Sequence, residues 1–131
     1  MPAHSLELIL TRRWAEVLSI PVFITDVNGN LLYYNPPAEV ILGRRFEETG
    51  EMPVEEWATI FTPTDENGDV LPPESLPLVK TLGTQIPAQG SFYIENLKGK
   101  QHFIHVSAFP IIGMAEGFLG AVALFWITDQ T

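Results

Sequence analysis

The fold is decided by residues 22–43, which read VFITDVNGNLLYYNPPAEVILG. Apolar and β-branched residues fill the run 22–26, and apolar and aromatic residues fill the run 31–34. The pair Asn28-Gly29 lies between the two runs, and Asn-Gly is typical of a tight hairpin because both turn positions favour positive φ. The stretch therefore predicts two antiparallel strands joined by this turn.

A short helix is predicted directly after the hairpin. Asn35 is a residue type whose side chain caps helix N-termini, and Pro36 suits the first turn because its missing N–H is not needed there. Gly43 suits the left-handed conformation that ends many helices. We therefore predict a helix over 36–42 that is capped by Asn35.

The other elements are read from apolar periodicity and turn residues. Helices are predicted at 5–18, 54–61 and 75–82, the last ended by Gly83, and strands at 91–95, 101–109 and 118–128. This order predicts an α+β domain: a five-stranded antiparallel sheet with short helices over one face and an N-terminal flanking helix. Because the strand at 101–109 carries apolar residues at both parities, we expect both sheet faces to be covered.

The N-terminal segment 5–18 is amphipathic, with apolar side chains three and four positions apart on one helical face. An exposed stripe of this size is unfavourable in water, so we expect it to pack on a second subunit or on the outer face of the sheet. The residues predicted at this interface are Leu6, Leu10, Trp14, Val17, Phe103 and Phe109. A homodimer is the expected assembly.

The composition excludes several classes of function. The net charge is −9, and so acidic a surface repels phosphates, which argues against nucleic acid and anionic membranes as partners. The chain has no cysteine, which removes disulfides, thiolate metal sites and a cysteine nucleophile. No apolar run reaches the ~20 residues that a membrane span needs. We expect a cytoplasmic protein without membrane insertion.

Three stretches carry a family pattern. The middle of the chain reads DENGDVLPPESLPL at 65–78, followed by Leu82-Gly83. Asp26 precedes the hairpin turn, and the C-terminal third contains Val106, Ser107, Ala108, Phe109, Pro110, Gly117, Gly120, Asp129 and Thr131. In combination these features resemble a PAS domain, and Asp129 and Thr131 stand where the family has its closing Asp-hydrophobic-Thr motif.

The resemblance implies a sensory or interaction module at residues 20–131, with residues 1–19 as its flanking helix. Such a module regulates an output domain, which is a histidine kinase, a cyclase, a phosphatase or a transcription factor, in the same protein or in a partner. The sequence has no Gly-x-Ser-x-Gly or Walker motif and no nucleophile paired with a base. We therefore expect no enzymatic activity.

The residues do not favour a flavin, a haem or a metal ion. A light-sensing flavin forms its adduct with a cysteine, which the chain lacks. Haem needs an axial ligand, typically a histidine on a helix over the sheet, and the histidines are His4, His102 and His105. His102 and His105 are three apart on a strand, so they point to opposite faces and do not chelate one metal.

In the family a ligand, when present, lies between the inner sheet face and the helices. The resemblance places Phe23 and Thr25 inward, and strand parity extends the lining. The expected lining is Phe23, Thr25, Val40, Ile41, Leu78, Val79, Leu82, Phe92, Ile94, Ile104, Val106, Ala108, Ala121, Ala123, Phe125 and Ile127. This apolar lining with small alanines suits a fatty acid or another apolar molecule. The alternative is an ordinary packed core in a ligand-free dimerisation or protein-interaction module.

Overall fold

The five predicted strands form one sheet in the computed structural model, which describes residues 6–113, 115 and 117–128. The strands are β1 (Val22–Asp26), β2 (Leu31–Tyr34), β3 (Ala88–Glu95), β4 (Gln101–Ile112) and β5 (Phe118–Ile127). They pair antiparallel in the order β2-β1-β5-β4-β3. The predicted α+β architecture is confirmed.

Helices lie on both sides of the sheet. They are α1 (Leu6–Glu16), α2 (Pro36–Leu42), α3 (Phe46–Thr49), α4 (Val54–Ile60) and α5 (Pro77–Thr84), with a 3₁₀ turn at Pro73–Ser75. Residues of α2, α4 and α5 join the core on the inner face, whereas α1 packs on the outer face. No helix in the described part of the chain is long and apolar enough to cross a membrane.

The β1–β2 hairpin forms where its sequence predicts, but of the pair Asn28-Gly29 Gly29 alone has a positive φ. The carboxylate oxygen Oδ1 of Asp26 accepts hydrogen bonds from the backbone N–H groups of Asn28 at 3.0 Å and Asn30 at 2.9 Å. Gly29 has a φ of +85°, a conformation that glycine adopts without steric cost. A Cβ at this position would lie 3.1 Å from the Cβ of Val54, so the turn also packs closely against the start of α4.

Asn35 is fully buried, and its side chain makes four hydrogen bonds. Its Oδ1 accepts from the N–H of Ala38 at 3.3 Å and the N–H of Val22 at 2.9 Å. Its Nδ2 donates to the carbonyls of Ala15 and Ile20, both at 2.9 Å. The predicted N-cap of α2 is therefore confirmed. The same side chain also joins β1, the end of α1 and the segment between them.

The orientation of α1 differs from the prediction. Leu8 and Ala15 are its buried residues, and the guanidinium of Arg12 lies 4.5 Å from the centre of the Tyr33 ring. The small Ala15 lets the helix approach the sheet closely, so this face docks although its side chains are less bulky. The predicted stripe is exposed: Leu6 by 66%, Leu10 by 57%, Trp14 by 44% and Val17 by 81%. The prediction that this stripe packs on the outer face of the sheet is therefore wrong. Its packing on a second subunit stays a prediction.

Some element boundaries also differ. The helix α5 continues through Gly83 to Thr84 and ends where Gln85 adopts a φ of +62°. The short helix α3 was not predicted, because its segment is charged and has no apolar periodicity. The N-terminal residues before α1 and the closing motif at 129–131 lie outside the described residues.

We expect Asn35→Ala to lower the free energy of unfolding by about 2–4 kcal/mol, more than the ~1 kcal/mol of a lost N-cap. The substitution removes the side-chain partner of the Val22 and Ala38 N–H groups and of the Ile20 carbonyl, and one of two donors to the Ala15 carbonyl. Urea denaturation measures this change. Asn28→Ala in the exposed turn is the control, with an expected change within ~0.5 kcal/mol. If the two variants shift the denaturation midpoint equally, the buried hydrogen bonds of the Asn35 side chain do not contribute to stability as we expect.

Candidate functional site

An apolar pocket of about 80 Å³ lies between the inner sheet face and the helices. Its walls come from β1, β3, β4 and β5 on one side and from α2, α4, α5 and the connecting segments on the other. The lining residues are Phe23, Leu42, Trp57, Phe61, Pro63, Leu76, Pro77, Leu78, Phe92, Ile94, Ile104, Val106, Ala123 and Phe125. This is the region in which the sequence predicts a ligand.

Strand register explains why the predicted sheet residues meet here. Phe23 of β1 pairs with Ala123 of β5, and Val106 of β4 pairs with Phe125 of β5. Because side chains of paired residues point to the same face, each pair contributes two neighbouring groups. The predicted residues that line the pocket are Phe23, Leu78, Phe92, Ile94, Ile104, Val106, Ala123 and Phe125.

Other predicted residues belong to the surrounding core rather than to the pocket wall. Thr25, Ile41, Ala108 and Ala121 are buried, and Val79 and Leu82 are partly buried against the same inner-face cluster. The hydroxyl of Thr25 is buried without a hydrogen-bond partner. None of these side chains lines the pocket.

The prediction was wrong for two residues that it placed in the pocket lining. Val40 is 80% exposed, because the short helix α2 turns Ala38, Ile41 and Leu42 towards the core instead. Ile127 is 48% exposed although it pairs with Ile104, because it ends β5 at the margin of the sheet. Neither side chain lines the pocket.

The prediction missed the aromatic wall that α4 contributes. The Trp57 ring packs edge-on against Phe23, with 5.3 Å between ring centroids, and its Nε1–H donates to the carbonyl of Gly29 at 2.7 Å. Trp57 and Phe61 share one side of the predicted helix 54–61, so helical periodicity was a signal for them. The lining residues Leu76 and Pro77 lie at the start of α5, as its N-cap and its first residue, where the helical pattern had too few residues to mark them as lining.

The pocket has no polar group to offer a ligand. The lining residues are apolar except for the indole N–H of Trp57, which already has an acceptor. A carboxylate or amide group placed here would lose its hydrogen bonds to water without replacement, which is costly. In the described part of the chain, no group of three or more His, Asp or Glu residues is arranged to hold a metal ion.

The two strand histidines have separate environments. Burial, with a smaller contribution from Lys100, lowers the pKa of His102 below its usual value, and His102 does not line the pocket. The Nδ1 of His105 lies 2.7 Å from the Oγ of Ser91, and its Nε2 lies 3.3 Å from the Oε1 of Gln89.

The Ser91–His105 pair was not recognised from the sequence, because the pairing of β3 with β4 brings the two residues together. A serine–histidine pair is one part of an acyl-transfer site, which also needs a substrate pocket and oxyanion donors. This pair is exposed and lies outside the apolar pocket. The pair alone does not make a catalytic site.

No protein-family model matches the chain, and no curated protein does. Solved structures do match. The PAS domain of Bordetella pertussis BvgS is 12% identical with a TM-score of 0.70, over 96% of this chain and 89% of that chain. The PAS domain of nitrogen regulation protein NR(II) from Vibrio parahaemolyticus is 14% identical with a TM-score of 0.62, over 91% of this chain and 98% of that one.

A Rhodobacter sphaeroides LOV protein is also similar, with 12% identity and a TM-score of 0.73, over 96% of this chain and 70% of that chain. At identities this low, the likeness is evidence for the fold and not for a shared activity. The chain therefore has the PAS fold, as its sequence motifs indicate.

The two small strand residues Ala123 and Ala121 differ in their surroundings, and this difference gives a test of the pocket. Ala123 lines it, whereas Ala121 is fully buried outside it. We expect Ala123→Val to change the free energy of unfolding by less than ~0.5 kcal/mol or to stabilise the protein, because the added methyl groups enter empty space. The matched Ala121→Val should cost about 1–3 kcal/mol by overpacking.

Thermal and urea denaturation of the two variants measure the difference. Equal destabilisation by both substitutions would show that the space beside Ala123 is filled in solution, by side chains or by a bound molecule.

Proposed function

We propose that the chain is a sensory or regulatory PAS module of a signal-transduction protein, in which residues 20–131 form the module and residues 1–19 the flanking helix. The PAS fold and its occurrence in a nitrogen regulation protein support this role. The output is a kinase, cyclase, phosphatase or transcription factor, linked or in a partner. We propose no catalytic activity for the module itself, and its cytoplasmic location stays a prediction.

The size of the pocket favours action without a resident ligand. Small-molecule sites are typically ~300–1,000 Å³, whereas this pocket has about 80 Å³. A fatty acid, which the sequence suggested, does not fit unless the surrounding helices move. A thiol–flavin adduct has no cysteine to form on. We therefore favour the ligand-free dimerisation module over the fatty-acid sensor.

The observation that carries this proposal is the exposed apolar stripe of α1. Beside it lies a groove of about 350 Å³ between α1 and the outer sheet face, lined by Leu10, Thr11, Trp14, Phe109, Pro110, Ile111 and Val122. Burial of apolar surface contributes ~25 cal/mol per Å², and exposed apolar surface of this kind marks interaction sites. We propose that a second copy of the chain covers the stripe and the groove in a homodimer.

Leu10→Lys should dissociate this homodimer, because it places a charge in the centre of the stripe. Val40→Lys is the matched control, since Val40 is an exposed apolar residue on a helix, α2, that the proposed interface does not use. Sedimentation equilibrium across a concentration series measures the assembly. We expect the control and the unsubstituted protein to be dimers, and Leu10→Lys to be at least about tenfold weaker in self-association.

A monomeric unsubstituted protein would contradict the proposed dimer. A dimer that Leu10→Lys leaves intact would place the interface on another surface. Point substitution is preferable to deletion of residues 1–18, because deletion would also uncover the sheet residues beneath Leu8 and Ala15.

A second candidate is a sensor of a small apolar molecule, favoured by the empty space beside Ala123. An engineered apolar cavity of ~150 Å³ binds benzene, so about 80 Å³ limits the ligand to a smaller molecule. Denaturing mass spectrometry of extracts from the purified protein tests this role. A stoichiometric apolar compound would support it, and a clean extract together with no stabilisation by xenon would exclude it.

A further inference from the structure

The Asn35 side chain divides its hydrogen bonds between two parts of the molecule. Its oxygen Oδ1 accepts from Val22 and Ala38, at the starts of β1 and α2. Its amide nitrogen Nδ2 donates to the carbonyls of Ala15 and Ile20, in the last turn of α1 and just before β1. The oxygen Oδ1 thus binds elements of the core, and the nitrogen Nδ2 attaches the flanking helix and the segment that follows it.

Side chains of α1 also attach the helix to the rest of the domain. Leu8 and Ala15 are its buried residues, and Arg12 lies over the ring of Tyr33. The Ala15 carbonyl, in the last turn of α1, accepts from the backbone N–H of Leu18 at 3.2 Å and from the Asn35 amide at 2.9 Å. The amide is the partner that joins this turn to the core. The two amide hydrogens therefore fix where the helix leaves the core.

The helix α2 connects this attachment to the pocket. Asn35 caps its N-terminus, and Leu42 near its C-terminus lines the pocket. At that end Asn96, which is also buried, donates from Nδ2 to the carbonyl of Ile41 at 3.2 Å. A displacement of α2 would therefore move the cap residue and act on its two acceptors, the carbonyl of Ala15 on α1 and the carbonyl of Ile20 just before β1.

We infer that Asn35 is a latch that couples the flanking helix to the core, and that release of its two amide hydrogen bonds frees α1 while α2 stays capped. The inference goes beyond the proposed function, because it concerns the attachment of α1 within one chain, whether or not a dimer forms. If the protein proved to be a monomer, the inference about Asn35 would be unaffected.

Asn35→Asp separates the two halves of the latch. The carboxyl keeps an oxygen for Val22 and Ala38 but loses both donors, so oxygen atoms would face the carbonyls of Ala15 and Ile20. Asn96→Asp is the matched control: it makes the same chemical change at the opposite end of α2. Hydrogen exchange of the full chain, resolved by residue, measures the protection of α1 and of the strands in both variants.

We expect Asn35→Asp to lower the protection of the α1 amides at least about tenfold, which corresponds to ~1.4 kcal/mol, with β4 and β5 unchanged. Asn96→Asp should leave α1 as protected as in the unsubstituted protein. Protection of α1 should recover as the pH falls, because the protonated carboxyl again has a donor, and burial raises the pKa of such a group. Unchanged α1 protection, or an equal loss in both variants, would overturn the latch.

Asn35→Ser provides a variant without a buried charge, in which a capping oxygen is kept and the amide donors are lost. It should also deprotect α1 selectively. In the unsubstituted protein, the side-chain amide protons of Asn35 should exchange as slowly as the α1 amides. Rapid exchange of these protons beside a protected α1 would overturn the inference even if no variant folds.

Discussion

The hydrogen bonds of the buried Asn35 side chain are the constraint on which the arrangement of α1, β1 and α2 depends. A buried amide that lacks partners is costly, and this one has both acceptor and donor positions in use. The partners belong to α1, to the segment after it, to β1 and to α2, so one side chain constrains the relative arrangement of these elements. A helix cap has thereby become the junction of the flanking helix with the sheet.

The two sides of the sheet have different roles in this account. The inner face and the helices enclose little empty space, with a pocket of about 80 Å³ whose lining residues have no unpaired polar group. The outer side carries α1, whose bulkier apolar stripe is exposed beside the groove that Leu10 and Trp14 line together with residues of the sheet. Interior space limits what the module can hold, and exposed apolar surface indicates where it can bind. The small pocket and the exposed apolar surface together favour regulation through protein–protein contacts over regulation by a bound ligand.

Local signals in the sequence were sufficient for the hairpin, the cap and the strand parity, because each depends on neighbouring residues. These local signals failed where the position of a side chain depends on contacts between parts of the chain that are distant in sequence. Both faces of α1 carry apolar residues, and contact with the sheet selects the face with Ala15 over the bulkier face with Trp14. Val40 was misplaced because a two-turn helix has too few residues to define its buried face. The Ser91–His105 pair depends on strand register, which no local pattern fixes.

Native mass spectrometry of the purified chain tests the central claim most directly, because one spectrum reports both assembly and bound molecules. The account predicts ions of a dimer of the 14.6 kDa chain, with no additional mass after mild activation. Ions of the monomer alone, or a dimer that carries a stoichiometric small molecule, would contradict a module that acts through its surfaces without a resident ligand.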